Sequence, residues 1–424
     1  MTGTQKIATR VAVLAALAAI APLGLCESLF EPVVRDARQA EIVDRIREEQ
    51  ALNGAYSPAL IEPFTALGYL YRQGGDPPLA VAAIGRALQI LRANYGLRTL
   101  DQAPLMLQWI ENAEAMRDFK MAWDVEKELL LLAYKNPDDP RSVPILHEIG
   151  DKRIDLLSRY VKGEFPPQIV LGCYYDPFRI YDNSVVNEHQ QNCSSGSRRV
   201  AIQSILHEAQ AYYRDAILVM RRNELYSSDE LREIEMDLVR TSYLYGRSAT
   251  IGKESVGVVK ASLRRLLEYD VANAAPPEVR IESFLRMADW DLMFANGRSE
   301  SDAVLARYEA AYRELESAGV SRASIEEIFL PQTPVVLPSF LENPLASEPT
   351  SESDEHIDVA FEIDKYGHSE GIEAVGSTST VADAAKKNLV RTIARSRFRP
   401  RVSDGRVADH SPVVVRYYLA GPGP

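Results

Sequence analysis

The spacing of apolar residues divides the chain into a long helical region and a short C-terminal region of strands. From about residue 38 to residue 330, apolar positions recur at the three- and four-residue intervals of amphipathic helices, as at Leu67, Leu70 and Tyr71. After residue 356 the interval changes to two, which is typical of strands with one buried face. The pattern predicts an α+β protein in which an α-helical repeat region at 38–330 precedes a small β-β-α-β domain.

The helical region repeats itself. Asp118 stands 42 residues after Asp76, and Ala122 stands at the same distance from Ala80. A fixed period with small residues at matched places indicates stacked two-helix units. The pattern resembles the tetratricopeptide repeat (TPR) in the longer variant known from kinesin light chains, with Gly68 where that repeat has a small residue. A plain helical bundle is the alternative.

The first 26 residues predict an export signal. Lys6 and Arg10 precede an apolar run that ends at Leu25, and polar chain follows Cys26. Because this run is shorter than the roughly 20 apolar residues of a spanning helix, we expect cleavage and a periplasmic protein. A retained inner-membrane anchor is the alternative, and lipidation of Cys26 is a weaker one because bulky Leu25 precedes it.

Removal of the signal leaves two cysteines, Cys173 and Cys193, within a long loop at 162–197 that is rich in Pro, Gly and polar residues. An even pair of cysteines in an exported chain predicts a disulfide. Two buried free thiols are the alternative.

Proline marks the segment between the two regions. Five prolines fall within residues 331–355 and oppose regular structure, so this segment is predicted to be an extended, solvated linker. We therefore expect the helices to remain folded when the C-terminal module is deleted.

The module at 356–419 begins with a strand that alternates between Ile357, Val359, Phe361 and Ile363 on one face and polar residues on the other. Its last strand alternates in the same way. The apolar residues of that strand are Val413, Val415, Tyr417 and Leu419, and Arg416 lies among them. The order strand, strand, helix, strand follows from these periods.

Two motifs of this module resemble the C-terminal domain of the TonB energy-transducer family. They are Phe361-x-Ile363-Asp364-x-x-Gly367 and the basic motif Arg397-Phe398-Arg399-Pro400. The resemblance implies a domain that binds a segment of an outer-membrane receptor by strand addition. An exposed strand edge offers unpaired backbone groups to another chain. Our candidate edge contains Val413, Val415, Arg416, Tyr417 and Leu419, and its alternative occupants are the linker or a second copy in a homodimer.

Charge narrows the choice of partners. The formal net charge of −12 opposes a general nucleic-acid-binding role. Within the basic motif, Arg397 and Arg399 could meet an acidic partner or lipid headgroups, although such runs more often form a solvated face paired with acidic residues of the same domain.

Catalytic chemistry finds no support. Nucleotide-binding and nucleophile-elbow motifs are absent from the sequence, and we find no metal-ligand spacing among its six histidines. We predict a non-enzymatic periplasmic interaction protein without catalytic, cofactor or metal site, whose partners are envelope proteins. The alternative function is an inner-membrane-anchored energy transducer that acts on outer-membrane receptors.

Overall fold

The computed structural model describes residues 32–164, 198–224, 229–248, 253–341, 355–378 and 381–418. The predicted export signal at 1–26, Cys173, Cys193 and Leu419 lie outside these residues. The described residues form thirteen α-helices and a small antiparallel sheet near the C-terminus, so the chain is mainly helical with an α+β composition. They fall into two compact units, Met1–Ile145 and Leu146–Pro424.

The first unit consists of helical hairpins. Its helices are α1 (Ala37–Asn53), α2 (Ile61–Gln73), α3 (Pro77–Tyr95), α4 (Ala103–Ala115) and α5 (Phe119–Lys135). The ends of α4 and α5 fall 42 residues after those of α2 and α3. A 3₁₀ turn precedes each hairpin, Pro58–Leu60 before α2 and Leu100–Gln102 before α4.

The repeat extends to single hydrogen bonds. The carboxylate of Asp76 accepts from the first turn of α3 and that of Asp118 from the first turn of α5, so both cap a helix. At the other end, the Asn94 amide donates to the Ile90 carbonyl at 2.8 Å, and Asn136 makes the equivalent bond at 2.9 Å. The matched caps explain why both hairpins begin and end at equivalent residues.

The second unit begins with a series of long helices. They are α6 (Ser142–Val161), α7 (Arg198–Arg222), α8 (Asp229–Ser248), α9 (Lys253–Ala272), α10 (Pro277–Phe294), α11 (Arg298–Ser317) and the shorter α12 (Arg322–Phe329). From α7 to α12, each helix packs against the next along the chain. Large aromatic side chains fill the core, and Tyr213, Trp290, Tyr308 and Phe329 are fully buried.

A glycine permits the close approach of α6 to α7. A Cβ atom at Gly150 would lie 2.5 Å from Cε1 of the Tyr213 ring, so a larger residue would push the helices apart. The Tyr213 hydroxyl then reaches Asp151 on α6, with 2.8 Å between the oxygens. The same contact therefore fixes the position of an α6 carboxylate.

The C-terminal module contains a three-stranded antiparallel sheet in the order β2-β1-β5. Its elements are β1 (His356–Asp364), β2 (Ser369–Ser377), α13 (Asp383–Arg395), the short strands β3 (Val402–Ser403) and β4 (Arg406–Val407), and β5 (His410–Tyr418). The alternating apolar residues of β1 and β5 lie beneath α13, where Ile357, Val359 and Ile393 have no exposed surface. The period of two in the sequence thus forms the buried face of the sheet.

The turn after β1 depends on Gly367. Its φ is +82°, and a Cβ there would lie 2.0 Å from the Phe398 carbonyl oxygen. The Phe398 N–H donates to the Gly367 carbonyl at 2.7 Å, so the turn is joined to the basic motif through its backbone.

The described part of the predicted linker, residues 331–341, is packed. The Leu337 N–H donates to the Arg397 carbonyl at 2.8 Å, and the Arg399 N–H donates to the Val335 carbonyl at 2.9 Å. Val336 joins the core of the sheet, while Leu337 and Phe340 join cores formed by the helices. This differs from the solvated segment that the prolines suggest, because the apolar residues between the prolines bury themselves on both sides.

Candidate functional site

The last strand, β5, separates the predicted edge residues into two groups. Val413, Val415 and Tyr417 are buried and point into the core beneath α13. Arg416 lies on the opposite, exposed face. The structure therefore brings three of the predicted side chains together in the core and leaves one of them on the surface.

The direction of the backbone groups of β5 follows from the ladder on β1. The Thr378 N–H donates to the His356 carbonyl at 3.0 Å, and the Asp364 N–H donates to the His368 carbonyl at 2.9 Å. Even-numbered residues of β1 thus bond toward β2, and odd-numbered residues bond toward β5.

The register completes the assignment. Phe361 stands opposite Val413 and Val359 opposite Val415, so the odd-numbered residues of β5 give their backbone groups to β1. The backbone groups of Pro412, Val414 and Arg416 point away from the sheet. Proline at position 412 fits this direction, because an outward position needs no N–H for the ladder.

This outward row is open in the described part of the chain. None of its backbone–backbone hydrogen bonds joins Val414 or Arg416 to a segment other than β1. The Val414 side chain is 69% exposed, which is unusual for a valine in a strand that has a buried face. The sequence did not single out Val414, although its place between two buried valines marks it as outward-facing.

The other edge of the sheet, β2, is irregular. Its register with β1 shifts at two places, and Gly371 has a φ of +60°. The Ser369 hydroxyl also donates to the Ile393 carbonyl at the end of α13. Bulges of this kind disfavour pairing with another strand, whereas β5 keeps an unbroken register over nine residues.

Charges on the exposed face of the sheet are paired within the module. Arg416 donates to both oxygens of Asp358, at 2.7 and 3.0 Å. This bond lowers the pKa of Asp358 below its ordinary value, although partial burial acts in the other direction. The His410 ring lies 3.7 Å from Glu362. The face beside β5 is therefore polar without a large excess of one charge.

The basic motif lies at the contact between the module and the helices. Phe398 and Pro400 are buried, and the Arg397 guanidinium donates to the Tyr366 carbonyl at 2.9 Å. Arg399 is almost fully buried and donates to both oxygens of Asp289 on α10, at 2.7 to 3.1 Å. The sequence interpretation of Arg399 as a contact for acidic partners or lipid headgroups does not hold, because its guanidinium is buried against this chain's own carboxylate.

Asp289 is the centre of a buried polar cluster. It has no exposed surface, and it also accepts hydrogen bonds from the hydroxyls of Tyr308 and Ser339. Burial lowers the pKa of Arg399, but the charges of Asp289 and Glu282 outweigh burial and raise it above its ordinary value. Arg399 is therefore a permanent cation inside the protein, and its partner could not be found from the sequence because 110 residues separate the two.

A second group of titratable side chains was overlooked in the sequence. His147 and Asp151 stand four residues apart on α6, which is a metal-ligand spacing, so the statement that the histidines lack one is wrong. Asp237 of α8 joins them, with 3.1 Å between its Oδ2 and His147 Nε2. Burial lowers the pKa of His147, but the Asp237 hydrogen bond and the nearby carboxylates raise it overall.

Comparisons with protein-family models and with curated proteins found no match for this chain. Of the helices in the described ranges, none is both long and apolar enough to cross a membrane.

Proposed function

We propose that this is an exported, non-enzymatic interaction protein whose C-terminal module binds an extended segment of another envelope protein along β5. The observation that carries the proposal is the outward row of backbone groups at Pro412, Val414 and Arg416. Such groups bind a further strand through main-chain hydrogen bonds, and alternate side chains supply specificity. The proposal extends the resemblance to the TonB C-terminal domain, in which an outer-membrane receptor supplies the segment.

The side chains around the edge suggest what the segment contains. On the exposed face, an apolar residue of the segment would cover Val414, and an acidic residue would meet Arg416. On the other face, apolar residues would extend the buried row of Val413, Val415 and Tyr417. An extended segment that alternates in this way and carries an acidic residue is the preferred ligand.

The helices would act as a scaffold that holds this module in a fixed place. The hairpins of the first unit, with their period of 42, are proposed to be TPR-like and to offer a second protein-binding surface. The contact between Arg399 and Asp289 supports a fixed module and does not favour a head on a long spacer, which the alternative of an energy transducer requires.

Selection from a phage-displayed library of random peptides, with the full chain as bait, tests the proposal. We expect the selected peptides to alternate apolar and polar residues. Val414→Pro removes only an outward N–H, so it should abolish peptide binding. Val414→Thr keeps this N–H and should bind as the original protein does.

Val375→Pro on β2 is the matched control, because Val375 is also an exposed valine on an outer strand. Peptides that bind Val414→Pro as tightly as the original protein would reject the β5 site. Loss of binding in Val375→Pro but not in Val414→Pro would move the site to β2.

A further inference from the structure

Three side chains of the second unit converge where α6 approaches α8. The ligand atoms of His147, Asp151 and Asp237 all lie within 4.8 Å of one another. His147 Nε2 is 3.1 Å from Asp237 Oδ2 and 3.7 Å from Asp151 Oδ2. Both carboxylates therefore present the same kind of atom to one imidazole nitrogen.

Each carboxylate is held through its other oxygen. The Tyr213 hydroxyl donates to Asp151 Oδ1 at 2.8 Å, and the Arg240 guanidinium donates to Asp237 Oδ1 at 2.9 Å. Each carboxylate thus has one oxygen oriented by a neighbour and one oxygen, Oδ2, directed at His147. Outer-shell donors that orient ligands in this way are typical of metal sites and help to fix ligand geometry.

The local charge favours a cation. Asp151 and Asp237 bring two carboxylates together, and the charges of Glu148 and Glu233 act on the same group. Arg240 offsets part of this negative charge. The side chain of Asp151 is 52% exposed and that of His147 is 13% exposed, so an ion from solution can reach the site.

We propose that His147, Asp151 and Asp237 bind a divalent transition-metal ion of the zinc class. Zinc binds imidazole nitrogen and carboxylate oxygen at about 2.0 to 2.2 Å, and two such ligands of a tetrahedral ion lie about 3.4 Å apart. The distances of 3.1 and 3.7 Å from His147 Nε2 lie on either side of this value. A nitrogen ligand favours zinc and its neighbours over calcium or magnesium, which prefer oxygen.

The ion would join α6 to α8, with water in its remaining coordination positions. The site is independent of β5, so its failure would leave the peptide-binding proposal untouched. Its ligands come from positions 147, 151 and 237, and the α7 residue Tyr213 orients one of them. Binding should therefore stabilise the second unit.

Calorimetric titration of the full chain with Zn²⁺, after removal of bound metals with a chelator, tests the proposal. We expect one Zn²⁺ per chain at this site and an increase in the melting temperature. His147→Asn and Asp237→Asn should each weaken Zn²⁺ binding by at least about tenfold, and Tyr213→Phe should weaken it by about tenfold.

His368→Asn is the matched control. His368 also stands four residues from an aspartate, with 3.2 Å between its Nδ1 and Asp364 Oδ2, but this pair is not part of a three-ligand group. Its substitution should leave Zn²⁺ affinity unchanged. Co²⁺ should give visible absorption bands without the near-ultraviolet band of cobalt–thiolate bonds.

Failure of the original protein to bind Zn²⁺ would overturn the proposal, and so would unchanged binding by folded His147→Asn. A cobalt–thiolate band would place the ion on cysteine and would overturn it as well. If His147→Asn does not fold, Asp151→Asn decides. Its side chain is half exposed and its amide oxygen can still accept from Tyr213, so loss of binding supports the site and unchanged binding refutes it.

Discussion

The C-terminal module meets the helices through residues 397–402, where charged and apolar side chains are buried and paired, whereas β5 presents backbone groups that are unpaired in the described chain. At the inner contact, Arg399 and Asp289 satisfy each other within the core. Along β5, every second residue directs its N–H and C=O outward. The difference teaches that charge alone does not locate a binding surface, because the most basic motif of the module is the part least available to a partner.

Substitution at the inner contact should have the largest effect on stability. Arg399→Met removes the counter-ion of a carboxylate that has no exposed surface, and we expect the free energy of unfolding to fall by about 3 to 5 kcal/mol. Urea denaturation followed by circular dichroism measures the loss.

The double variant Arg399→Met/Asp289→Asn is its control. It removes both charges, while the amide oxygen can still accept from Tyr308 and Ser339. Most of the lost stability should return. A double variant as unstable as the single one would show that the cost comes from packing and not from an unpaired buried charge.

The turn that meets the basic motif should give the next largest effect. Gly367→Ala adds a Cβ at positive φ and against the Phe398 carbonyl oxygen, and should cost roughly 2 kcal/mol or more. Gly371→Ala also has positive φ but meets nothing within 4 Å, so it should cost about 1 kcal/mol. Equal losses in thermal melts of the two variants would mean that the contact with Phe398 is unimportant.

The exposed face beside β5 should give the smallest effect, and one that depends on pH. The pKa of Asp358 is lowered, so its bond with Arg416 contributes stability above the ordinary aspartate pKa of about 4, and this contribution is lost as the pH falls through the lowered value. Arg416 and His356 are the charged and titratable groups that act on it.

Asp358→Asn should therefore be slightly less stable than the original protein near neutral pH and equal to it in strong acid. Urea denaturation across this range measures the difference. A gap that persists in strong acid would assign the effect to packing of the side chain and not to its charge.

Local patterns in the sequence predicted the elements well. The alternation of Ile357 to Ile363 and of Val413 to Tyr417 places β1 and β5 within a few residues of their ends, because burial on one face of a strand imposes a period of two. The offset between Asp76 and Asp118 follows from two matched helix caps. Such features depend on neighbours in the sequence, which is why they can be read from it.

Contacts between distant residues could not be predicted in the same way. Arg399 finds Asp289 across 110 residues, and Asp237 reaches His147 across 90. The prolines of 331–355 suggested a solvated linker, yet Val336, Leu337 and Phe340 between them were an available sign of burial. His147 and Asp151 were also visible as a pair, and only the third ligand required the structure.

Amide hydrogen exchange at Val414 and Arg416, resolved by nuclear magnetic resonance, tests the open edge most directly. In the free protein these two amides should exchange far faster than those of Val413 and Val415, which bond to β1, and a selected peptide should slow them. Slow exchange at Val414 and Arg416 in the free protein would contradict the account, because it would mean that this chain or a second copy already covers β5.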